Sequence, residues 1–454
     1  MTTVRESFRR PLSKSVRYPR TCRRRRCGLT LIEMLVAMTI TLIMVLAVVQ
    51  IFEVAGTTVA NGRATLEMSG QLRAVEHRLR QDLAGVTVPM LPWPMPGAGQ
   101  GYFEYYEGSM RDIPVPNAAN TTIGDFDDVL MFTARSSNEP FVGRVQGGIV
   151  KSPTPNVFET IESRLAEVIW WCRFEDANAN GSWDMGEQIT LHRRVLMVRP
   201  DLNDPSTGSL PGIGGITTPA ALVNFYNSND VSVRPNGSGG VIANSLADLT
   251  KRENRIAHDT TKFPYVLSSS LLPLQTNLYL GEDVMLSNVV NFDVKAFDPI
   301  AKIRRRTDTN RAIVPSDAGY GVLGPTQEIG EGAFVDLNYV ATLAAPVLGT
   351  ISSTFSGPVN PKSQMSGASP AATYCTWSYH YEHDGVNQDN DTLIDEGTNG
   401  LDDDDTNGVD DVGERETSPP YPYPLRGLQV TLRIVEHNSQ QVRQTSVITD
   451  FTPE

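Results

Sequence analysis

Cysteine and histidine are scarce, with four and six residues in a chain of 454. Cys22 and Cys27 stand among arginines near the start, so Cys172 and Cys375 are the only cysteines in the long remainder. That is too few for a zinc site of four cysteines, or of a close cysteine pair with two histidines. Of His77, His192, His258, His380, His383 and His437, only His380 and His383 share a ligand-like spacing. No cysteine pair stands near them, so they read as partly exposed histidines. A G-x-S-x-G elbow and a P-loop are both absent. No enzyme chemistry is expected. Positive charge is also in short supply: the net charge is −13. Residues Met1–Gly28 hold nine arginines, one lysine and one glutamate, so without them the chain stands at −22 (−13 − 9). So acidic a surface excludes nucleic acid as a partner and favours cations.

Only one long apolar run occurs. It extends from Leu29 to Phe52, 24 residues with Glu33 as the sole charge. A helix of roughly 20 apolar residues spans a bilayer. The arginines at 23–26 should hold its start in the cytoplasm and send the rest outward. A carboxylate within such a span costs about 2.5–3.5 kcal/mol on insertion scales, and usually has a partner. A plain signal anchor, with Glu33 solvated at the interface, is one reading. A secretory signal peptide fits less well, because the apolar run is too long and no small-x-small cleavage site follows.

The string Arg23–Arg26, Cys27, Gly28, Leu29, Glu33 and the unbroken apolar run resembles the processing site of type IV prepilins and pseudopilins. The resemblance implies cleavage by a prepilin peptidase between Gly28 and Leu29 and N-methylation of the new terminus. It also implies that Glu33, fifth in the mature chain, pairs with the terminal amine of a neighbouring subunit. One departure is Leu29, where the family usually carries phenylalanine or methionine. The implied place is the inner membrane: single-pass, N-terminus inside, C-terminal domain outside. The implied partners are the peptidase and other pilin or pseudopilin subunits, met through the N-terminal helix.

After Phe52 the pattern stays helical and becomes amphipathic, with Leu66, Leu72, Val75, Leu79 and Leu83 among charges. Gly85 and the prolines from Pro89 to Pro96 end it. The expected layout is a leader at 1–28, a membrane helix at 29–52, its amphipathic continuation at 53–85, and a β-rich domain at 86–454. Strand-like runs occupy 128–133, 166–174, 189–198, 289–297, 374–381, 428–435 and 443–451. The stretches near 199–280 and 302–370 are rich in Gly, Pro, Ser and Asn and read as insertions. The fold class is therefore α+β: a long N-terminal helix packed on a mostly antiparallel β domain with long loop insertions. Trp170, Trp171, Trp377, Tyr379 and Tyr381 read as sheet core. The order of an Ile169-Trp170-Trp171 strand, Leu191–Arg194 and a closing 426–434 strand resembles the J-type minor pseudopilin of type II secretion and W-type minor pilins.

Three acidic loops remain. Asp176, Asn178, Asn180, Gly181, Ser182, Asp184 and Glu187 match the twelve-residue calcium loop, with Ser182 offering its carbonyl and Glu187 closing the site. Asp403, Asp405, Asn407, Gly408, Val409, Asp411 and Glu414 match the same frame. Asn387, Asp389, Asp391 and Asp395 form a partial copy, with Thr392 in place of the glycine and Thr398 in place of the glutamate. That copy resembles the short acidic turns of dockerins and thrombospondins. Solvated Asp/Asn/Gly turns are the competing reading. No long helix flanks these loops, so no sensor-type opening follows. Cys172 and Cys375 are either a disulfide or two buried thiols. Two functions are open: a pilin-like structural subunit braced by Ca2+, or a membrane-tethered calcium-dependent binding protein exported through a prepilin-type signal.

Overall fold

The structure is a computed structural model. It describes residues 30–108, 124–150, 157–179, 187–268, 283–317, 319–339, 354–355, 373–436 and 441–451. The chain divides into two compact units, Met1–Gly62 and Arg63–Glu454. The helix α1, Leu31–Ala84, runs through the boundary.

In the first unit α1 exposes its whole apolar run, from Leu31 through Phe52 to Val59. It is the one helix among the described residues long and apolar enough to cross a membrane. Its threonines do not break the run. Thr39 donates to the carbonyl of Val36 at 2.8 Å and Thr41 to that of Ala37 at 2.6 Å. Each hydroxyl is thereby satisfied within the helix, as an apolar surrounding demands.

The second unit is the β domain. Its strands are β1 (Phe103–Tyr106), β2 (Val129–Arg135), β3 (Phe141–Gln146), β4 (Phe158–Ser163), β5 (Leu165–Phe174) and β6 (Ile189–Met197). They continue as β7 (Val233–Pro235), β8 (Val241–Ala243), β9 (Asp283–Ser287), β10 (Val289–Arg305), β11 (Ala312–Ile313) and β12 (Glu328–Val335). The last are β13 (Thr373–Cys375), β14 (Gly427–Glu436) and β15 (Gln441–Asp450). One sheet has the order β13-β1-β2-β5-β6-β9, and a second has β11-β10-β14-β15 with β12 also on β10. Every pairing in both is antiparallel. All seven strand-like runs of the sequence include a strand. The run at 374–381 is a strand only to Cys375, then a 3-10 turn at Tyr379–Glu382.

The first sheet is covered on both faces, which is why the middle of β5, Val168–Cys172, is an unbroken apolar run. Side chains alternate between faces. Leu130, Phe132, Val168 and Trp170 join the main core with Leu72, Val75, Leu79 and Leu83 of α1. Val129, Met131, Ile169 and Trp171 face the other way, against Val198, Leu249 and Ala257. The adjacent tryptophans thus serve opposite faces. Leu66, one of the expected apolar positions, is exposed, and Met68 is buried instead.

The second cover comes from the stretch near 199–280, which is more than a loop. It carries α2 (Pro219–Ser228), the β7–β8 hairpin and a single turn, α3 (Leu246–Leu249). Its anchor is ionic. Glu104 of β1 is buried and meets Arg252 at 2.7 Å, Arg255 at 2.7 Å and His258 at 3.1 Å. Burial alone would raise its pKa, but these three partners hold its carboxyl well below the ordinary range. Glu167 of β5 receives Tyr102, Ser232 and the Ile256 N–H at 2.7, 2.7 and 3.0 Å.

The disulfide reading fails. Cys172 and Cys375 are separate buried thiols. Two strands, β1 and β2, lie between β13 and β5, which places them about 14 Å apart at ~4.8 Å per strand. A disulfide needs Cα atoms within about 7 Å. The two also face opposite sides: Cys172 lies in the α1-facing core, and Cys375 lies 3.7 Å from Arg255.

On the helix-facing side Asp82 is buried and accepts from Arg193 Nε at 2.6 Å and from Trp170 Nε1 at 3.1 Å. Leaving one member of a buried ion pair alone costs about 3–5 kcal/mol. Asp82→Ala should therefore lower stability by about that much, read as a shift in the denaturant midpoint of tryptophan fluorescence. A change within ~0.5 kcal/mol would show the pair to be incidental.

Candidate functional site: processing motif and acidic loops

Gly28 and Leu29 lie outside the described residues; Glu33 lies within them. Thr30 is the residue before α1, and the two form a reciprocal cap. Glu33 accepts from the Thr30 backbone N–H at 2.8 Å and its hydroxyl at 2.9 Å, while Thr30 Oγ1 accepts from the Glu33 N–H at 3.3 Å. This is the capping-box arrangement, which satisfies amides that an apolar medium would leave bare. Counted from Leu29 these are the second and fifth residues. The glutamate is thus held against the first turn, at the end where a new terminus would form.

The acidic loops are better built than their sequence suggests. Gly385, Asn390 and Asp395 adopt left-handed backbones at φ of 78°, 63° and 54°. Gly400, Asp405 and Asp410 do the same at 81°, 56° and 55°, each fifteen residues later (400 − 385). The bonds repeat as well. Gly385 N donates to Asp395 and Gly400 N to Asp410, both at 2.9 Å. The loops are therefore two copies of one fifteen-residue turn unit. Glycine, Asn and Asp are the residues that tolerate this conformation.

Each copy is closed by a buried glutamate, Glu414 at the end of the second copy and Glu416 just beyond it. Glu414 accepts from the N–H groups of Asp403, Asp404 at 3.3 Å and Asp411 at 3.0 Å. Glu416 accepts from those of Gln388, Asp389 at 3.3 Å and Asp395 at 3.0 Å. The first copy, which has Thr398 where the frame wants a glutamate, takes Glu416 instead. Glu382 locks the pair from below, accepting from the N–H groups of Glu416 and Thr417, each at 3.0 Å.

Of the carboxylates that converge, the sequence frames select Glu414 and Asp389 but not the other four. Asp402, Asp404 and Glu414 bring oxygens within 4.8 Å of one another, and so do Asp389, Glu396 and Glu416. Asp403 turns aside to accept from Asn399 at 2.6 Å. Asp405, Asn407 and Val409 are exposed, Asp411 caps Gly413, and Asp391 and Asn387 bond within their own turn. In the second copy the frame falls one residue out of phase, selecting Asp403 and Asp405 where Asp402 and Asp404 converge. In the loop at 176–187, Asn180, Ser182 and Asp184 lie outside the described residues. Of its remaining positions, Glu187 accepts from the Ala177 N–H at 2.9 Å, the same closing bond, and Asp176 and Asn178 flank it.

Sequence reasoning missed Asp402, Asp404, Glu396 and Glu416. The signal available was the spacing of Gly385 from Gly400, which sets the register of the repeat.

Against known proteins, residues 23–49 match the family model of the prokaryotic N-terminal methylation motif. Together with the long apolar helix, that match fits a prepilin-like, membrane-anchored protein. No curated protein and no solved structure matches the chain.

Burial and then a hydrogen bond to Glu416 push the Glu396 carboxyl up to about 7. A folded-state pKa above the unfolded one stabilises the fold below the unfolded value and loses that contribution as pH rises through the folded value. In chelator, amide protection of residues 384–416 should be highest near pH 4.5 and fall as pH passes 7. Hydrogen exchange across that range checks it; flat protection would contradict the shared proton.

Proposed function

We propose that the chain is a minor pseudopilin-like structural subunit and not an enzyme. In this reading a prepilin peptidase cuts between Gly28 and Leu29, the new terminus is N-methylated, and the helix from Leu29 to Phe52 packs beside those of other subunits. The match of residues 23–49 to the methylation motif carries the reading. The exposed apolar face of α1 supports it, because a surface of that kind must be covered by lipid or by other helices.

Glu33 is the specificity element. Inside the membrane its charge is offset by the terminal amine of the neighbouring subunit, which fixes register. The β domain lies outside the cytoplasm. Ca2+ at Asp389/Glu396/Glu416 and at Asp402/Asp404/Glu414 braces the acidic loops, since a divalent ion relieves converging carboxylates and orders a segment with little apolar core. The strand order around Trp170, Trp171 and the closing β14 favours the J-type position among minor pseudopilins.

The experiment is replacement of Glu33 by leucine. Peptidase cleavage should persist, read from the mass of the mature chain, because the cut lies outside the glutamate. Cross-linking to other filament subunits should be lost. Normal assembly with Glu33→Leu would sink the filament reading and leave a membrane-tethered calcium-dependent binding protein as the better account.

A further inference from the structure

Three acidic side chains meet inside the β domain, at a place no sequence motif marks. Glu107 follows β1, and Asp125 and Asp128 lead into β2. Their exposures are 0%, 1% and 0%. Oxygens of all three lie within 4.8 Å of one another. Three oxygens so placed share a point no more than about 2.8 Å from each, so a small closing movement brings all three to the roughly 2.3–2.6 Å of calcium bonds.

Two of the three are already aimed by other bonds. Asp128 accepts from Gly108 N at 3.1 Å and from Val294 N at 2.7 Å. Glu107 accepts from the Tyr105 hydroxyl and from Leu337 N at 3.2 Å. Asp125 is different. Its Oδ1 takes a long bond of 3.4 Å from Asp127 N, and its Oδ2 is buried with no hydrogen-bond partner. A buried carboxylate oxygen left bare is a large penalty, which a ligand would remove. Lys295, packed nearby, is engaged by Asp293 and by Asp336 at 3.3 Å.

We propose that Glu107, Asp125 and Asp128 form a buried divalent-cation site, suited to calcium, that clamps the end of β1 and the start of β2 in the first sheet onto β10 of the second. The donors are carboxylate oxygens, which suit calcium, magnesium or manganese and not the softer metals. Magnesium bonds near 2.0–2.1 Å would demand a tighter cluster. The location is a seam: Gly124 N donates to the Val290 carbonyl at 2.8 Å, and Phe292 N to that of Asp125 at 2.7 Å. Outer bonds such as those on Asp128 are what orient carboxylates toward a metal. The site shares no residue with the acidic loops, so it stands or falls apart from the filament reading and from calcium there.

The test counts calcium on the full-length chain in detergent at neutral pH. The parent is Glu414→Gln/Glu416→Gln, which removes the closing glutamates of both acidic loops. Adding Glu107→Gln/Asp125→Asn to that parent should lose one bound calcium per chain, measured by atomic emission after gel filtration. An unchanged count in a folded variant overturns the proposal. Another measurement needs no change at the site. In the Glu414→Gln/Glu416→Gln chain, hydrogen exchange at 103–108, 124–135 and 289–296 should slow at least tenfold on moving from chelator to calcium. No change there overturns the proposal even where the quadruple variant fails to fold.

Discussion

Asp82 sits near the end of a 54-residue helix, buried, with Arg193 of β6 and Trp170 of β5 both bonded to it. The register of the helix on the sheet follows from that carboxylate. Apolar contacts alone would tolerate a slide of one turn, because Leu72, Val75, Leu79 and Leu83 are similar in size and spacing. An ion pair in a low-dielectric interior does not tolerate it, since either charge left alone is heavily penalised. Glu76 and Thr65 extend the same register to β15, through Thr445 at 2.8 Å and Gln441 at 2.5 Å. On the opposite face of the first sheet, Glu104 does for the insertion what Asp82 does for the helix. The layers on both sides are thus keyed by buried acids met by arginines.

Much of this was legible in the sequence, for local reasons. The apolar run after Gly28, the amphipathic stretch to Leu83 and the proline-studded stop are periodicities of adjacent residues. So are β5, β6, β10, β14 and β15. What escaped depended on distant partners. Residues 200–258 resemble a loop in composition, yet Val231, Val233, Val241 and Ala243 are buried once Glu104 and Glu167 supply something to dock on. The disulfide idea used parity and compartment but had no access to strand order, which puts the two thiols on opposite faces. Leu66 fitted the count and still points outward.

The acidic loops show a different limit. The twelve-residue calcium frame assumes that one loop contains all its ligands. Here the second copy carries its own closing glutamate, Glu414, while the first takes Glu416 from beyond the second. By spacing alone, then, the copy at 387–398 lacks a closing residue at Thr398, and the frame at 403–414 falls one residue out of phase. Spacing templates miss the closing residue of the first copy because a whole repeat separates Glu416 from that loop. Backbone conformation recovers it: left-handed positions at 385, 390 and 395 recur at 400, 405 and 410.

Buried carboxylates in this domain are met in two ways. Asp82 and Glu104 are held by guanidinium groups that stay charged at any ordinary pH, so the helix and the insertion are docked unconditionally. Glu396 and Asp125 instead face other carboxylates, and burial with that like charge pushes both carboxyls above the ordinary range. Cleavage at Gly28–Leu29 would remove a +9 segment and leave the chain at −22, which raises the local concentration of divalent ions around it. A domain that is firm at its helix and conditional at its loops and sheet seam would stiffen fully only where such ions are plentiful.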